Sequence, residues 1–251
     1  MVYLKAKKGF TLSEVLITLT VLGIIAIIVV PNLIRNYQKR LTVTKLQKAY
    51  ANLENMAQNI AVYFGCIPGD VSCTGLSDDF DSDKFIEASG MKVIDTKTKI
   101  NRALYLYCEN SNSNCNNTYG VYFQPANKLY IAKDNIGYIV KSTTIRTFDE
   151  RINGSRVIQQ DKGFLVFVFT DPKSDIIYNW KRLRLGKNVF LFTIYDNFEV
   201  EPAVANSEAA IYPLSKKVNF ADYSCDKTNT KVISGYGCAA KILHDGWKIN
   251  Y

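Results

Sequence analysis

The chain has 251 residues, of which 47% are hydrophobic and 22% charged, the balance of an ordinary folded protein rather than a disordered or fibrous one. Its net charge of +8 is uneven, because residues 1–63 contain eight basic and two acidic residues while residues 64–251 carry only +2. This distribution argues against a nucleic-acid-binding protein whose whole surface is basic.

The first element is an apolar segment, Phe10 to Val30, preceded by a leader of residues 1–9. The segment contains one acidic residue, Glu14, and no Lys, Arg, Asp or His. Because an α-helix rises about 1.5 Å per residue, a helix of this length covers the roughly 30 Å of hydrocarbon in a bilayer. The leader is too short and the apolar run too long for an ordinary secretory peptide, so we expect a membrane span that survives processing.

Glu14 is the unusual residue of this segment, because an ionised carboxylate in lipid costs free energy unless it finds a cation. Nothing inside the span is expected to pair with it. Cleavage between Gly9 and Phe10 would create an amino group four residues away, and that amine is a cation at neutral pH. We therefore expect Glu14 to pair with the new terminus of its own chain or of a neighbouring subunit. The alternative is a signal anchor that carries an unpaired carboxylate.

Beyond Pro31 the helical pattern continues but becomes amphipathic. Apolar residues recur at spacings of three and four: Leu46, Ala49, Tyr50, Leu53, Met56, Ala57, Ile60 and Phe64. No strong helix breaker follows Pro31 until Gly65. We therefore predict one helix over residues 10–63, with a membrane half of residues 10–30 and an amphipathic half of residues 31–63. Pro31 has no N–H donor and is expected to bend or loosen this helix.

Residues 64–251 have the composition of a globular head rich in β-branched and aromatic residues. The predicted strands are 103–108, 119–123, 128–132, 137–141, 163–170, 189–195 and 198–201. The densest apolar run, Phe164 to Phe169, indicates the central buried strand, and polar segments such as 77–83 separate the strands. We predict an α+β fold in which the long N-terminal helix packs on a mainly antiparallel β-sheet.

Six cysteines follow the apolar segment and form three near pairs: Cys66 with Cys73, Cys108 with Cys115, and Cys225 with Cys238. An even number of closely spaced cysteines indicates disulfides and an oxidising compartment. Six cysteines allow fifteen connectivities, so local pairing is one arrangement among several. Basic residues flank the span equally, so the cysteines, rather than the positive-inside rule, indicate that the head lies outside the cytoplasm.

Few residues indicate chemistry. The only histidine, His244, has no Gly-x-Ser-x-Gly partner, and no cysteine pair has the two-residue spacing of zinc knuckles. The sequence therefore predicts neither a hydrolase site nor a metal or cofactor site. Aspartates alternate over residues 79–83 as in a calcium loop, but Lys84 stands where that loop needs glycine, which favours a solvated acidic loop.

A basic cluster lies beside Trp180 in the head: Lys181, Arg182, Arg184 and Lys187. Such residues can contact DNA phosphates and stack a base. Since the head as a whole is nearly balanced in charge, nucleic acid is the less favoured partner.

The N-terminal residues resemble the class III signal of type IV prepilins and of the pseudopilins of type II secretion systems. The resemblance covers about the first 40 residues and rests on Gly9, Phe10, Glu14, the long uncharged run and Pro31. Together these features are specific, whereas each alone would be weak. A second, supporting resemblance relates residues 185–190 and the C-terminal motifs after Gly237 and Gly246 to the heads of large pilin-like proteins of type II secretion.

The resemblance implies that a prepilin peptidase cuts after Gly9 and methylates Phe10. It also implies that Glu14 and Pro31 occupy the family's assembly positions, the fifth and twenty-second residues after the cut. The implied protein is a structural subunit and not an enzyme, drawn from the membrane into a helical fibre. Its direct partners would be other pilin or pseudopilin subunits, with an assembly ATPase and a platform protein acting indirectly.

Several roles stay open within this class: a surface pilus, a secretion pseudopilus or a DNA-uptake system. The alternative is a membrane-anchored adhesin or DNA-uptake binding module that does not form the bulk of a filament. Either role implies a single-pass inner or cell membrane protein with an extracytoplasmic head. After assembly, the subunit would lie in a cell-surface or periplasmic filament.

Overall fold

The computed structural model describes residues 9, 11–67, 80–97, 102–105, 119–123, 128–152, 155–172, 184–195, 197–205, 211–213, 225 and 235–251. The chain divides into two compact units, residues 1–41 and 42–251. The helices are α1 (Leu12–Tyr63), α2 (Ser82–Ala88) and α3 (Cys238–His244). The strands are β1 (Val93–Lys97), β2 (Arg102–Tyr105), β3 (Tyr119–Phe123), β4 (Leu129–Ala132), β5 (Gly137–Ile152), β6 (Ser155–Phe169), β7 (Val189–Tyr195), β8 (Val200–Ala205) and β9 (Ile211–Pro213).

The predicted N-terminal helix is confirmed: α1 is one helix of 52 residues that continues through Pro31. In the second unit its apolar stripe is buried, with Leu46, Leu53 and Ile60 fully inaccessible to solvent. One polar side chain also ties α1 to the sheet, because the Lys45 ammonium donates to the carbonyl oxygen of Thr170 at 2.8 Å. The part of α1 from Leu46 to Ala61 therefore contributes to the core of the head.

Seven strands form one antiparallel sheet in the order β1-β4-β5-β6-β7-β8-β9. Strands β2 and β3 form a separate two-stranded antiparallel sheet. Strand β6 has three strands on either side, which confirms that the run Phe164 to Phe169 is the central strand. The predicted α+β class is confirmed as well.

Successive side chains of β6 alternate between two cores on opposite faces of the sheet. Three belong to the core that contains α1: Phe164, Val166 and Val168. The three others belong to a second core: Leu165, Phe167 and Phe169. Helices cover the first face, whereas Leu185, Ala203 and Tyr236 contribute to the second. Because both faces are covered, β6 appears in the sequence as a continuous apolar run rather than an alternating one.

Strands β5 and β6 are much longer than the predicted runs 137–141 and 163–170. Their register extends from Gly137 opposite Phe169 to Ile152 opposite Ser155, with a shift between Arg146 and Phe148. Only an Asn-Gly dipeptide separates the two strands, and this pair is the preferred two-residue hairpin connection. The extension was not predicted because the residues beyond position 141 are largely polar.

Four short elements were not predicted: β1, β9, α2 and α3. Helix α2 begins inside segment 77–83, which was predicted to be a loop, because Asp81 acts as its N-cap. The Asp81 carboxylate accepts the backbone N–H groups of Asp83 and Lys84 at 3.0 and 2.9 Å. Helix α3 is only seven residues long, too short to show a helical period.

The C-terminal segment packs against the residues that precede β7. Gly235 has a φ of +92°, and a Cβ atom there would lie 2.6 Å from Cβ of Leu185. The Tyr251 hydroxyl donates to the carbonyl oxygen of Gly186 at 2.8 Å, and the Trp247 ring lies 6.0 Å from that of Tyr50 on α1. The motifs that follow Leu185 and Gly237 in the sequence therefore meet in space and have a structural role.

Candidate functional site

The candidate site is the start of α1, where Thr11 is the N-cap residue. Its carbonyl oxygen accepts the backbone N–H of Val15 at 3.2 Å, which begins the helical ladder. The Thr11 hydroxyl accepts the backbone N–H of Glu14 at 3.2 Å. In return, the Glu14 carboxylate accepts both the backbone N–H and the hydroxyl of Thr11, each at 2.9 Å. This reciprocal arrangement is a capping box.

Glu14 has a hydrogen-bond partner inside the span that was not predicted, while its expected pairing with a cation from outside the span stays a prediction. Thr11 gives the carboxylate two hydrogen bonds, although no positive charge. The sequence contained the signal, because Thr11 and Glu14 have the Ser/Thr-x-x-Glu spacing of a capping box. At the start of the helix, the Glu14 carboxylate thus accepts some of the hydrogen bonds it can form, while no positive group in the described part of the chain compensates its charge.

Two other polar side chains of the span form hydrogen bonds within the helix. The hydroxyls of Thr18 and Thr20 donate to the carbonyl oxygens of Val15 and Leu16, at 2.9 and 2.8 Å. Such internal bonds are what a hydroxyl needs where water is absent. Near Pro31, the Asn32 side-chain amide donates to the carbonyl oxygen of Ile28 at 3.3 Å. This bond supplies a donor beside the position where proline lacks one.

The apolar surface of the N-terminal unit is not covered by any described part of the chain. The large apolar side chains from Leu12 to Ile34 are 43% to 85% exposed. By length and composition, α1 can cross a membrane. An exposed apolar surface of this size would favour aggregation in water, so it requires lipid or other protein to cover it.

The processing residues lie just before this helix. Gly9 is exposed, and a Cβ atom there would meet nothing within 4 Å. Phe10 lies outside the described residues. The predicted roles of Gly9 and Phe10 in processing, and of Glu14 and Pro31 in assembly, stay predictions.

The structure has a disulfide between Cys225 and Cys238, with Cα atoms 4.8 Å apart. Both cysteines are buried, and the bridge ties the start of α3 to the preceding segment. Cys66 is also disulfide-bonded. Cys73, Cys108 and Cys115 fall outside the described part of the chain, and their pairing stays a prediction.

The alternating aspartates are engaged by protein groups. Asp81 caps α2, and Asp83 accepts hydrogen bonds from the Lys128 ammonium and the Tyr130 hydroxyl. These two bonds, first that of Lys128, lower the pKa of Asp83. Among the described residues, no group of three His, Cys, Asp or Glu side chains is placed to hold a metal ion.

The remaining candidates do not come together as a site. His244 has a side chain 59% exposed, and its Nδ1 lies 3.3 Å from Oδ1 of Asp245. In the predicted basic cluster, Lys187 is exposed and Arg184 is half-buried. The other members of that cluster, with Trp180, lie in a part of the chain that the structure does not describe.

Comparison with known proteins gives one match. Residues 4–30 match the family model described as the prokaryotic N-terminal methylation motif, which is the signature of type IV pilin and pseudopilin prepilin-type signals. No curated protein and no solved structure matches the chain significantly. The match includes Gly9, Glu14 and the Thr11 cap, so the chain carries the N-terminal signal of a pilin-like or pseudopilin-like precursor.

Proposed function

We propose that this protein is a structural subunit of a type IV pilus-like or type II secretion pseudopilus filament. The observation that carries the proposal is an exposed apolar helix segment, residues 12–30, that bears a single carboxylate and lies within the match to a methylation motif. A helix that is apolar on all sides is stable in lipid and equally stable among copies of itself. Transfer between the membrane and a fibre can therefore be nearly balanced in free energy.

Processing creates the positive group that Glu14 lacks. A prepilin peptidase would cut after Gly9 and methylate the new amino group of Phe10. The capping box holds the Glu14 carboxylate at the first turn of α1, close to where that amine would lie. An amine from the same or a neighbouring chain would neutralise the carboxylate, and a neighbour's amine would fix the axial register of the fibre.

The head fits an extracytoplasmic role. It contains a buried disulfide, which forms and persists in oxidising compartments. We place the head outside the cytoplasm and the N-terminal helix in the inner or cell membrane before assembly. Partners are then the prepilin peptidase and other pilin or pseudopilin subunits, while an assembly ATPase and a platform protein act indirectly.

The test is the yield of filaments from Glu14 variants. Glu14→Gln keeps a polar side chain that can accept from Thr11 but removes the charge. We expect normal membrane insertion and a filament yield lower by about tenfold or more, because a pair shielded from water is worth more than the roughly 1 kcal/mol of an exposed one.

Ser13→Ala is the matched control, since Ser13 is the adjacent residue and also exposed. This variant should assemble as the unaltered protein does. Sheared filaments and membranes are separated and the subunit is quantified in each. Unchanged filament yield for Glu14→Gln would contradict the proposed role of this carboxylate.

A further inference from the structure

A groove in the second unit lies between α1, the loop after α2 and the turn that joins β4 to β5. Its volume is about 260 Å³. The helix contributes Asn52, Asn55 and Asn59, and the two loops contribute residues 89–92 and 132–134. Most of these groups are polar, which distinguishes the groove from the two apolar cores.

Two of the asparagines hold the walls in place. Asn59 donates to the carbonyl oxygen of Ser89 at 2.8 Å. The Asn52 amide donates to Oδ2 of Asp134 at 2.9 Å and to the Tyr138 hydroxyl at 3.2 Å. These bonds tie both loops to the helix, so the groove is preformed in the free protein.

Asp134 is the one carboxylate among the groove residues, and it is already satisfied. It accepts from Asn52, and its Oδ1 accepts the backbone N–H of Ile136 at 3.2 Å. The Lys48 ammonium also lies 3.6 Å from its Oδ2. Its negative charge is therefore compensated within the protein.

Three polar side chains of the groove have no partner among the described residues, two lysines and one asparagine. Lys92 and Lys133 are exposed and make no ion pair with any described residue. The side chain of Asn55 is exposed and makes no hydrogen bond within the described part of the chain. The groove thus offers a net positive charge and an amide that can both donate and accept.

We propose that this groove binds an extended acidic peptide segment of a partner protein. The ammonium groups of Lys92 and Lys133 meet carboxylates of the peptide, and the amide of Asn55 bonds to its backbone. Met91 lines the same groove and is half-buried, and its flexible thioether side chain adapts to varied peptide side chains.

Nucleic acid fits this groove less well. A nucleic acid carries a phosphate at every nucleotide, whereas the groove has only two lysines without an ion pair among the described residues, so a peptide that presents single carboxylates between neutral groups fits it better. The groove residues that the structure describes include no aromatic ring on which a base could stack. An oligonucleotide is therefore the competing ligand in the test.

The experiment uses the unassembled full chain in non-ionic detergent, so its outcome is independent of filament formation. The probe is an end-capped, fluorescein-labelled peptide of alternating aspartate and glycine, titrated by fluorescence anisotropy. We expect saturable binding that weakens as salt is added, because exposed charge pairs are screened. The same peptide with asparagine in place of aspartate should not bind.

Substitutions of groove residues test whether the peptide binds in the groove. The double variant Lys92→Gln with Lys133→Gln should raise the dissociation constant about tenfold, since each exposed pair contributes roughly two- to fivefold. Asn55→Ala should raise it about threefold. Lys187→Gln removes the same charge from an exposed lysine outside the groove and should change nothing.

Three results would overturn the proposal. The first is an aspartate peptide that does not bind. The second is a double variant that binds this peptide as tightly as the unaltered chain does. The third is a thymidine decanucleotide that binds more tightly than the peptide and is weakened by the same lysine substitutions.

Discussion

Hydrogen bonds with Thr11 set the environment of the Glu14 carboxylate, which is the only charged group in the apolar half of α1. The Thr11 hydroxyl accepts the backbone N–H of Glu14 and completes the helix cap. In return, the Glu14 carboxylate accepts the backbone N–H and the hydroxyl of Thr11 at the start of the helix. The local hydrogen bonds leave the charge itself uncompensated. The proposed pairing with an amine would supply the missing positive charge.

Thr11→Val tests the capping box with little change in side-chain shape. Loss of the hydroxyl removes the acceptor for the Glu14 N–H, and a lost cap costs about 1 kcal/mol. We expect hydrogen exchange of the Glu14 amide to become about fivefold faster in the full chain in detergent micelles. Thr11→Ser keeps the hydroxyl and should exchange at nearly the original rate. Equal exchange in both variants would show that the hydroxyl does not cap the helix.

Asp83 joins α2 to the sheet through Lys128 and Tyr130 on either side of the start of β4. Its pKa is lowered from the ordinary value of 3.8, chiefly by the hydrogen bond from Lys128. A group with a lowered pKa stabilises the fold above its unfolded-state pKa and loses that contribution as the pH falls through its folded-state pKa. The contribution is therefore complete at neutral pH and disappears in acid.

We expect Asp83→Asn to lower the free energy of unfolding at pH 7 by up to about 1 kcal/mol, because the pair is largely exposed. The difference from the unaltered protein should shrink as the pH falls below 3.8 and vanish below the lowered pKa that Asp83 has in the folded protein. Urea unfolding of the full chain in detergent measures both. Glu87→Gln changes an exposed acid on the same helix and should have no such effect. A difference that persists unchanged in acid would show that the carboxylate charge is not responsible.

At the scale of elements, the closure of the C-terminal segment over the residues before β7 depends on Gly235. Its φ is +92°, and a Cβ atom there would lie 2.8 Å from the carbonyl oxygen of Leu185, which is backbone and cannot swing away. Gly246 also has a positive φ, of +68°, but its Cβ position meets nothing within 4 Å. Substitution of the two glycines therefore distinguishes two costs: a left-handed backbone, present at both positions, and a steric clash, present only at Gly235.

Gly235→Ala should therefore cost about 3 kcal/mol or more, from strain and overpacking together. Gly246→Ala should cost only about 1 to 2 kcal/mol, from the left-handed backbone alone. The midpoints of urea unfolding of the full chain give the comparison, provided that the slopes agree. Equal losses would mean that the segment can move away from Leu185.

The same elements show how far the sequence determines the fold. The helix α1 and the core strands were predictable, because the stripe from Leu46 to Ile60 and the run Phe164 to Phe169 are dense and bounded by turn residues. The outer half of the β5–β6 hairpin was not predictable. It is stabilised by the pairing of the two strands and shows no apolar periodicity in the sequence. The helices α2 and α3 are too short for a period, although Asp81 was a visible cap signal.

The groove was invisible for a different reason. Its walls come from three separate segments, and nothing in the order of the chain indicates that Asn55, Lys92 and Lys133 lie together. The capping box is the opposite case, because the spacing of Thr11 and Glu14 is local and can be recognised directly. Local signals can be recovered from one sequence, whereas sites assembled across the fold require the structure.

At the scale of the whole molecule, the two units have different physical tasks. The first unit presents an uncovered apolar helix that requires lipid or other helices. The second unit buries its own cores on both faces of a sheet and is stapled by a disulfide. This division is what the proposed role requires, in which the helix passes from membrane to fibre while the head stays folded.

The most direct test is the intact mass of the chain in sheared filaments and in membranes. We expect the filament form to begin at Phe10, with the mass of residues 10–251 plus one methyl group, and Gly9→Ala to leave an uncut precursor confined to the membrane. Filaments whose subunit begins at Met1, or at a residue beyond the apolar segment, would contradict the account.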